Sequence, residues 1–309
     1  MWERSKRALS LCFSFLFLFF KVGRELSAVN AVVGALRHIK GEVLRDFDLI
    51  VHQFYGGHDI TIVPIADVHL GAEGCMQQEF IEFVKTIAET PNLYVILGGD
   101  LVENATKSSI SNVYRQTMSP MEQKKMMTKI LEPIASKVLA VVGGNHERRS
   151  SRECDQDVTY DIAAKLNIED RYRESIAFVK IQLGIKEYES GGRTDANQRP
   201  TYVLTVTHGS GGGVLTGGVI NRNERFGYIL DGSDCLIAAH SHKPVVTNPA
   251  KIKIDSRNNL VTVQDFKVVV ATSWLSYTGY PIQKMMLPSS HCIQYLTLSG
   301  KNKKMTVTM

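Results

Sequence analysis

The chain of 309 residues lacks any pair of cysteines spaced C-x-x-C. Its five cysteines, Cys12, Cys75, Cys154, Cys235 and Cys292, are scattered and odd in number, which argues against a disulfide framework or a thiolate zinc site and for a reducing compartment. No internal repeat or low-complexity tract is visible. The body also lacks an excess of charge. The net +5 is carried by the ends: residues 1–26 hold five Lys/Arg against two Glu, and residues 301–309 hold three Lys, which leaves about −1 for the rest. Bulk charge therefore gives no reason to expect a nucleic-acid groove. The apolar run Ala8 to Phe20 is shorter than the roughly 20 residues that cross a bilayer, although it has the length of a signal-peptide core. Lys21, Arg24 and Glu25 stand where a small-residue cleavage site belongs, and only Val29-Asn30-Ala31 is passable. A dispensable extension is the preferred reading, which makes the protein cytoplasmic. A cleaved signal and a membrane-surface anchor formed by residues 1–26 are the alternatives.

What is present is ordinary globular composition, 44% hydrophobic and 22% charged, enough for a full core without staples. The boundary is expected at residue 59, with 1–58 an extension and 59–309 the folded domain. From there strands and helices alternate. Ile60 to Ala66, Leu93 to Leu97, Val138 to Val142, Tyr202 to Thr207 and Cys235 to Ala239 read as strands. "QQEFIEFVKTIAET" reads as a helix with Phe80, Val84 and Ile87 on one face. Ser119-Pro120-Met121-Glu122 is a capping box with proline at the first helical position, opening a helix that carries Met127, Ile130, Leu131 and Ile134. "VTYDIAAKL" is a further helix. This order predicts an α/β fold with a largely parallel sheet covered on both faces. "KIKID", "LVTVQDFKVVVA" and "CIQYLTL" predict an antiparallel carboxy-terminal part, and Pro64 predicts a bulge or local irregularity in the first strand.

A polar cluster follows each of the five strands: Asp67-Val68-His69, Gly98-Gly99-Asp100, Gly143-Gly144-Asn145-His146-Glu147, His208-Gly209 and His240-Ser241-His242. In open α/β sheets ligands bind outside the carboxyl ends of strands. Taken singly, each histidine is more often structural than catalytic, and an aspartate after a strand is often only a helix cap. Five of the nine histidines on one sheet edge, with two aspartates and an asparagine, are not independent accidents. Carboxylate, imidazole and amide oxygen together suit manganese, iron or zinc. Strand alternation turns Asp67 and His69 to one side, and His240 and His242 likewise.

The ordered series "DVH", "GGD", "GGNHE", "THG" and "AHSH", spanning residues 67–242, resembles the calcineurin-like metallophosphoesterase superfamily, in a bacterial or phage-type branch. Ala239 stands where that family usually has glycine, and a small residue should serve. The resemblance implies a four-layer α/β/β/α sandwich with central mixed sheets. It implies two divalent metal ions, one on Asp67, His69 and His242, the other on Asn145, His208 and His240, with Asp100 bridging. It implies hydrolysis of a phosphate ester by metal-activated water, with His146 uncoordinated and giving a hydrogen bond or proton to the leaving oxygen. In this reading the glycines of "GGNHE" bring the backbone close to a metal, and Glu147 either orients a neighbour or is a plain surface carboxylate.

The substrate is narrowed by exclusion. "GDLVENATK" lacks the arginine of the protein phosphatase motif, and it lacks the histidine of the repair nucleases after Asp100. The lipid A pyrophosphohydrolases carry arginine where this chain has His146. A phosphodiesterase acting on a nucleotide or nucleic acid is favoured; a repair-type DNA or RNA nuclease and a non-catalytic metal-binding module are the alternatives. Arg148 and Arg149 are candidate phosphate contacts, with solvated arginines as the bland alternative. "HGSGGGVLTGG" is a weak phosphate-loop signal and equally a lid. Trp274, Tyr277 and Tyr280 are candidates for base stacking, with a place in the core favoured.

Overall fold

The computed structural model describes residues 46–107, 109, 113–185, 199–211, 215–279, 282, 285 and 287–309. The run Ala8 to Phe20, Tyr280, and Gly212 to Val214 of the glycine-rich stretch lie outside these. Two six-stranded sheets organise the rest. In one, β2 (Ile60–Ile65), β3 (Leu93–Leu97), β4 (Val138–Val142) and β5 (Tyr172–Arg173) run parallel, and β13 (Tyr295–Leu298) and β14 (Met305–Thr308) extend it antiparallel beyond β2. The other has the order β1 (Ile50–Tyr55), β6 (Ile176–Ile185), β7 (Thr201–Thr207), β8 (Cys235–Ala238), β12 (Lys267–Val270), β9 (Val245–Thr247). A separate antiparallel hairpin joins β10 (Ala250–Asp255) to β11 (Leu260–Asp265).

Period-two alternation assigns each strand's side chains to two faces. Ile62, Ile96, Leu139 and Val142 of the first sheet pack with Val179, Leu204, Val206 and Ile237 of the second, forming the inter-sheet core. The opposite face of the first sheet, with Val63, Val95, Leu97 and Val141, is covered by α1 (Gln77–Glu89), α2 (Pro120–Leu131) and α4 (Val158–Lys165), the last preceded in the chain by the short α3 (Arg148–Cys154). These bring Phe80, Val84, Met127 and Ile162 into one cluster. The outer face of the second sheet, with Leu236, Ala238, Val268 and Val270, receives Val219 of α5 (Thr216–Tyr228). The layers are α/β/β/α. Strands buried on both faces need apolar residues at every position, and β4 has them throughout.

Local signals explain the helix ends. Ser119 accepts from the Glu122 amide and Glu122 reaches back to the Ser119 amide, closing the capping box with Pro120 in the first turn. Asp157 caps α4 by accepting from the Tyr160 amide. Ile134 lies in a 3-10 turn after α2 rather than in the helix, yet is buried as expected.

Several expectations are corrected. The single, largely parallel sheet becomes two mixed sheets, because β6 pairs antiparallel with β7 and parallel with β1. The folded body begins before residue 59: β1 is part of the second sheet, and residues 46–309 form one compact unit. Asp46 accepts from the Ser175 amide and Arg173 donates to the Asp48 carbonyl, so this entry is tied down. Pro64 makes no bulge, since it stays in register opposite Ile96, while the β13 ladder on the other side of β2 ends at Ile62. "LVTVQDFKVVVA" splits at Phe266, which turns into the core under α5; β12 then pairs parallel with β8. Among the described residues no helix is long and apolar enough to cross a membrane.

Candidate metal centre

All five polar clusters lie beyond the carboxyl ends of β2, β3, β4, β7 and β8, so both sheets deliver side chains to one edge. Beneath them Ala66, Ala239 and Ala271 form a small-residue cluster. Ala239 therefore fits where the sheets draw close.

Asp67, His69 and His242 come together, with His242 Nε2 at 3.4 Å and His69 Nε2 at 3.9 Å from Asp67 Oδ1. Asp100, His208 and His240 form a neighbouring group, and Asp100 Oδ2 stands 3.2 Å from His208 Nε2 and 3.8 Å from His69 Nε2. Asn145 Oδ1 is 3.0 Å from His208 Nε2. Every expected ligand is thus in one cluster. The His240 amide donates to Asp67 Oδ2 at 2.9 Å, which ties a loop of the second sheet to a loop of the first.

The convergence does not come from strand alternation. β2 ends at Ile65 and β8 at Ala238, before the ligands begin. Asp67, His69, Asp100, His240 and His242 all have positive φ, between 49° and 67°. Left-handed backbone at non-glycine residues costs on the order of 1–3 kcal/mol each and persists only where surroundings over-determine it. Five of the seven candidate ligands share it, so strain is concentrated on the site.

The donor set crowds lone pairs against one another. Asp67 Oδ1 is buried without any hydrogen bond. His69 Nε2 and His242 Nε2 are 3.2 Å apart. His208 Nδ1 donates to the Gly98 carbonyl at 2.7 Å, which leaves Nε2 facing two acceptor oxygens. Such an arrangement requires either protons or cations. Burial opposes the charging of His208, but Asp100 outweighs it and the imidazole is pushed up to about 9. Burial likewise opposes ionisation of Asp100, yet His208 and the other imidazoles hold it well below the usual carboxylate range. Burial and neighbouring imidazoles lower His69 and His240, keeping both neutral with lone pairs to give. The residues fit a metal.

Three supporting residues were missed or left open in the sequence. Glu147 is buried, and its carboxylate accepts from the amides of Asp100 (3.0 Å), Leu101 (2.6 Å), Val102 (3.2 Å) and Gly144 (3.2 Å), clamping the loop after β3 to the loop after β4. Burial and Asp100 push its pKa up to about 7 against the pull of those amides. Glu103, given no role within "GDLVENATK", places Oε2 3.2 Å from His69 Nδ1 and 3.3 Å from His146 Nδ1. Asn104 is fully buried and donates to the carbonyls of His146 and Glu147. A Cβ on Gly144 would lie 2.1 Å from the Asp100 nitrogen and 2.2 Å from its Oδ1, so this glycine lets the loops after β3 and β4 touch.

His146 lies at the rim, its amide donating to Asp100 Oδ1 at 2.9 Å. With His69 and Asp100 it forms a third group whose atoms are near enough for an ion, but both its ring nitrogens already have partners in Glu103 and Arg149. Arg149 reaches the site. Arg148 does not, since it donates to the Glu174 carbonyl. Trp274 is buried at 2% exposure against Phe80, Phe83 and His291, which excludes base stacking; its amide donates to the Asp67 carbonyl. Tyr277 is exposed. The described part of the glycine-rich stretch begins α5 at Thr216, and Arg222 of that helix donates to the carbonyls of Ser210 and Gly211.

No family model and no curated protein matches the chain. Solved structures that align with it include phosphoesterases, a nuclease and an NAD nucleotidase. A conserved predicted phosphoesterase from Streptococcus pneumoniae is 12% identical, with 81% of this chain and 98% of that one covered and a TM-score of 0.30. A nuclease from Pseudomonas putida is 14% identical, with 76% and 83% covered and a TM-score of 0.29. A calcineurin-like phosphoesterase from Bacillus subtilis is 11% identical, with 81% and 88% covered and a TM-score of 0.32. At these identities and TM-scores the site's own geometry, not the likeness, carries the functional reading.

Proposed function

We propose that the chain is a metal-dependent phosphoesterase that holds two divalent cations and hydrolyses phosphodiester bonds. The observation that carries this is the buried Asp67 Oδ1, which accepts no hydrogen bond and has only His242 Nε2 at 3.4 Å and His69 Nε2 at 3.9 Å beside it, among converging imidazoles and carboxylates. Asp67, His69 and His242 would hold one ion, Asn145, His208 and His240 the other, with Asp100 between them. Manganese suits these donors, and iron or zinc fit as well. When bound, such ions supply Lewis acidity and an activated water.

The chain's own residues do the rest. Glu147 fixes the Asp100 backbone from four amides. Glu103 orients the rings of His69 and His146 by their Nδ1 edges. His146 and Arg149 line the rim on the side of Asp100, where a leaving oxygen would emerge. The order of the motifs from residue 67 to 242 supports the same reading. Nucleotides and nucleic acids are the phosphodiesters to test first.

The test uses the full chain, stripped of metal and resupplied with manganese, on bis-p-nitrophenyl phosphate and p-nitrophenyl phosphate. Manganese-dependent cleavage of the diester is expected. Metal binding without cleavage of either would defeat the proposal and favour a binding module.

A further inference from the structure

The β10–β11 hairpin wears its apolar face outward. Strand alternation puts Lys251, Lys253, Thr262 and Gln264 on one face and Ile252, Ile254, Val261 and Val263 on the other, in the cross-strand pairs Ile252–Val263 and Ile254–Val261. The polar face is the one that meets the body. Lys251 Nζ donates to the Leu230 carbonyl at 2.6 Å and sits 4.0 Å over the Phe266 ring, and Gln264 donates to Asp234 Oδ1 at 3.4 Å. The four aliphatic side chains are between 64% and 75% exposed. Together they offer on the order of 400 Å² of contiguous apolar surface, the size of the largest patch on an ordinary monomer and one that often marks an interaction site. Among the described residues β10 and β11 pair only with each other, and a two-stranded hairpin is marginal by itself.

The character of the face selects its partner. β-Branched aliphatics on a pleated surface pack well against a second sheet. Elements that lie on lipid instead carry Trp, Phe or Leu with Lys and Arg around them, whereas here the exposed carboxylate Asp265 continues the apolar face, opposite Ala250. The exposed Arg257 stands at the tip of the hairpin. Asp255 is turned to the other face, where it accepts from the Arg257 and Asn258 amides. A positive tip and a negative base make the hairpin complementary to a copy of itself turned end for end. Tip over tip would oppose like charges.

We propose that the chain forms a twofold dimer in which two β10–β11 hairpins pack apolar face on apolar face, tip over base, so that Arg257 meets the partner's Asp265. The same patch serves both copies, as a twofold contact requires. With its polar rim the contact reaches roughly 600 Å² on each copy, the lower end for specific interfaces. A weak dimer follows, with Kd on the order of 10 micromolar. The hairpin is anchored beside Leu230 and Asp234, at the amino end of β8, while the metal ligands follow its carboxyl end. Dimerisation thus leaves both centres open.

Sedimentation equilibrium of the full chain, from about 1 to 100 micromolar to bracket that Kd, tests this. The mass should pass from one chain to two. Ile254→Lys, a change at a solvent-facing position, should raise Kd by about a hundredfold or more, with the urea midpoint and manganese binding unchanged. Arg257→Asp and Asp265→Arg should each weaken association on the order of tenfold, and the double exchange should restore it. A single chain at every concentration overturns the proposal; if that monomer binds vesicles of phosphatidylcholine and phosphatidylserine and Ile254→Lys abolishes the binding, the face takes lipid instead. A dimer indifferent to Ile254→Lys places the contact elsewhere and overturns it too. Failure of the double exchange to recover association overturns the pairing of tip with base, and the proposal with it.

Discussion

Glu147 offers a quantitative check on how the centre is held. Its Oε1 accepts from Leu101 and Val102 and its Oε2 from Asp100 and Gly144, all in a buried space. Glu147→Ala leaves four amides without acceptors. At about 1–3 kcal/mol for each unsatisfied buried group, and with partial relaxation around the gap, the loss should be about 3–5 kcal/mol. For a body of this size that lowers Tm by roughly 6–20 °C. Glu147→Gln is the sharper variant. Its amide keeps one acceptor oxygen but turns an NH2 group toward the other two donors, so it should recover little. The assay is urea denaturation of the metal-free full chain at about pH 8.5, above the Glu147 value of about 7, with the m-value checked for constancy. A Glu147→Gln protein within about 0.5 kcal/mol of wild type, inside the range of an indifferent surface change, would refute the four-acceptor clamp. It would mean that Glu147 is protonated in the fold.

Three further outcomes are expected. His146→Ala should retain manganese while losing most turnover, whereas Asp100→Asn should lose both, as read by calorimetric titration beside the rate assay; an emptied site in His146→Ala would contradict the role given to its ring. Because metal-free His208 is held up to about 9, an ion must displace its proton at neutral pH, so manganese affinity should rise by up to about tenfold per pH unit from pH 7 and level off near 9. The same shift makes His208 stabilise the metal-free fold fully below its unfolded value of about 6.5 and lose that contribution as pH rises through 9; flat profiles in both would contradict it. Burial opposes ionisation of Asp161, but Lys124 at 2.7 Å and Gln156 lower its pKa. Its contribution is present above the unfolded value of about 3.9 and lost as pH falls through the folded one. Asp161→Asn should therefore cost about 0.5–1 kcal/mol at pH 7, the solvent-screened value for a partly exposed carboxylate, and flatten the acid limb of a denaturation series.

The sequence was most legible where chemistry repeats with the strand pattern. β3 and β4 end where their apolar runs end, and the clusters that follow them hold Asp100 and Asn145. It was least legible where pairing is non-local. β1 reads as half-polar because only Ile50 is buried in it, and nothing in "IVHQFY" announces a partner at Val179, more than a hundred residues on. A run such as "LVTVQDFKVVVA" carries no mark that its two halves serve different sheets. The ligand identities were readable, but not the left-handed backbone that aims them, since the several-fold enrichment of aspartate and histidine at positive φ is a far weaker signal than glycine's. Glu103 was hidden by its own ordinariness. A carboxylate three residues after Asp100 has no spacing rule, and its value comes only from two imidazole edges that the fold brings to it.

The central claim is that seven side chains from two sheets hold two cations. Equilibrium dialysis of the metal-stripped full chain against manganese measures this directly. Two ions per chain, with both lost in Asp100→Asn and one retained in His240→Ala, is the expected result. Saturation at no ion or one, or two ions bound equally well by Asp100→Asn, would contradict it.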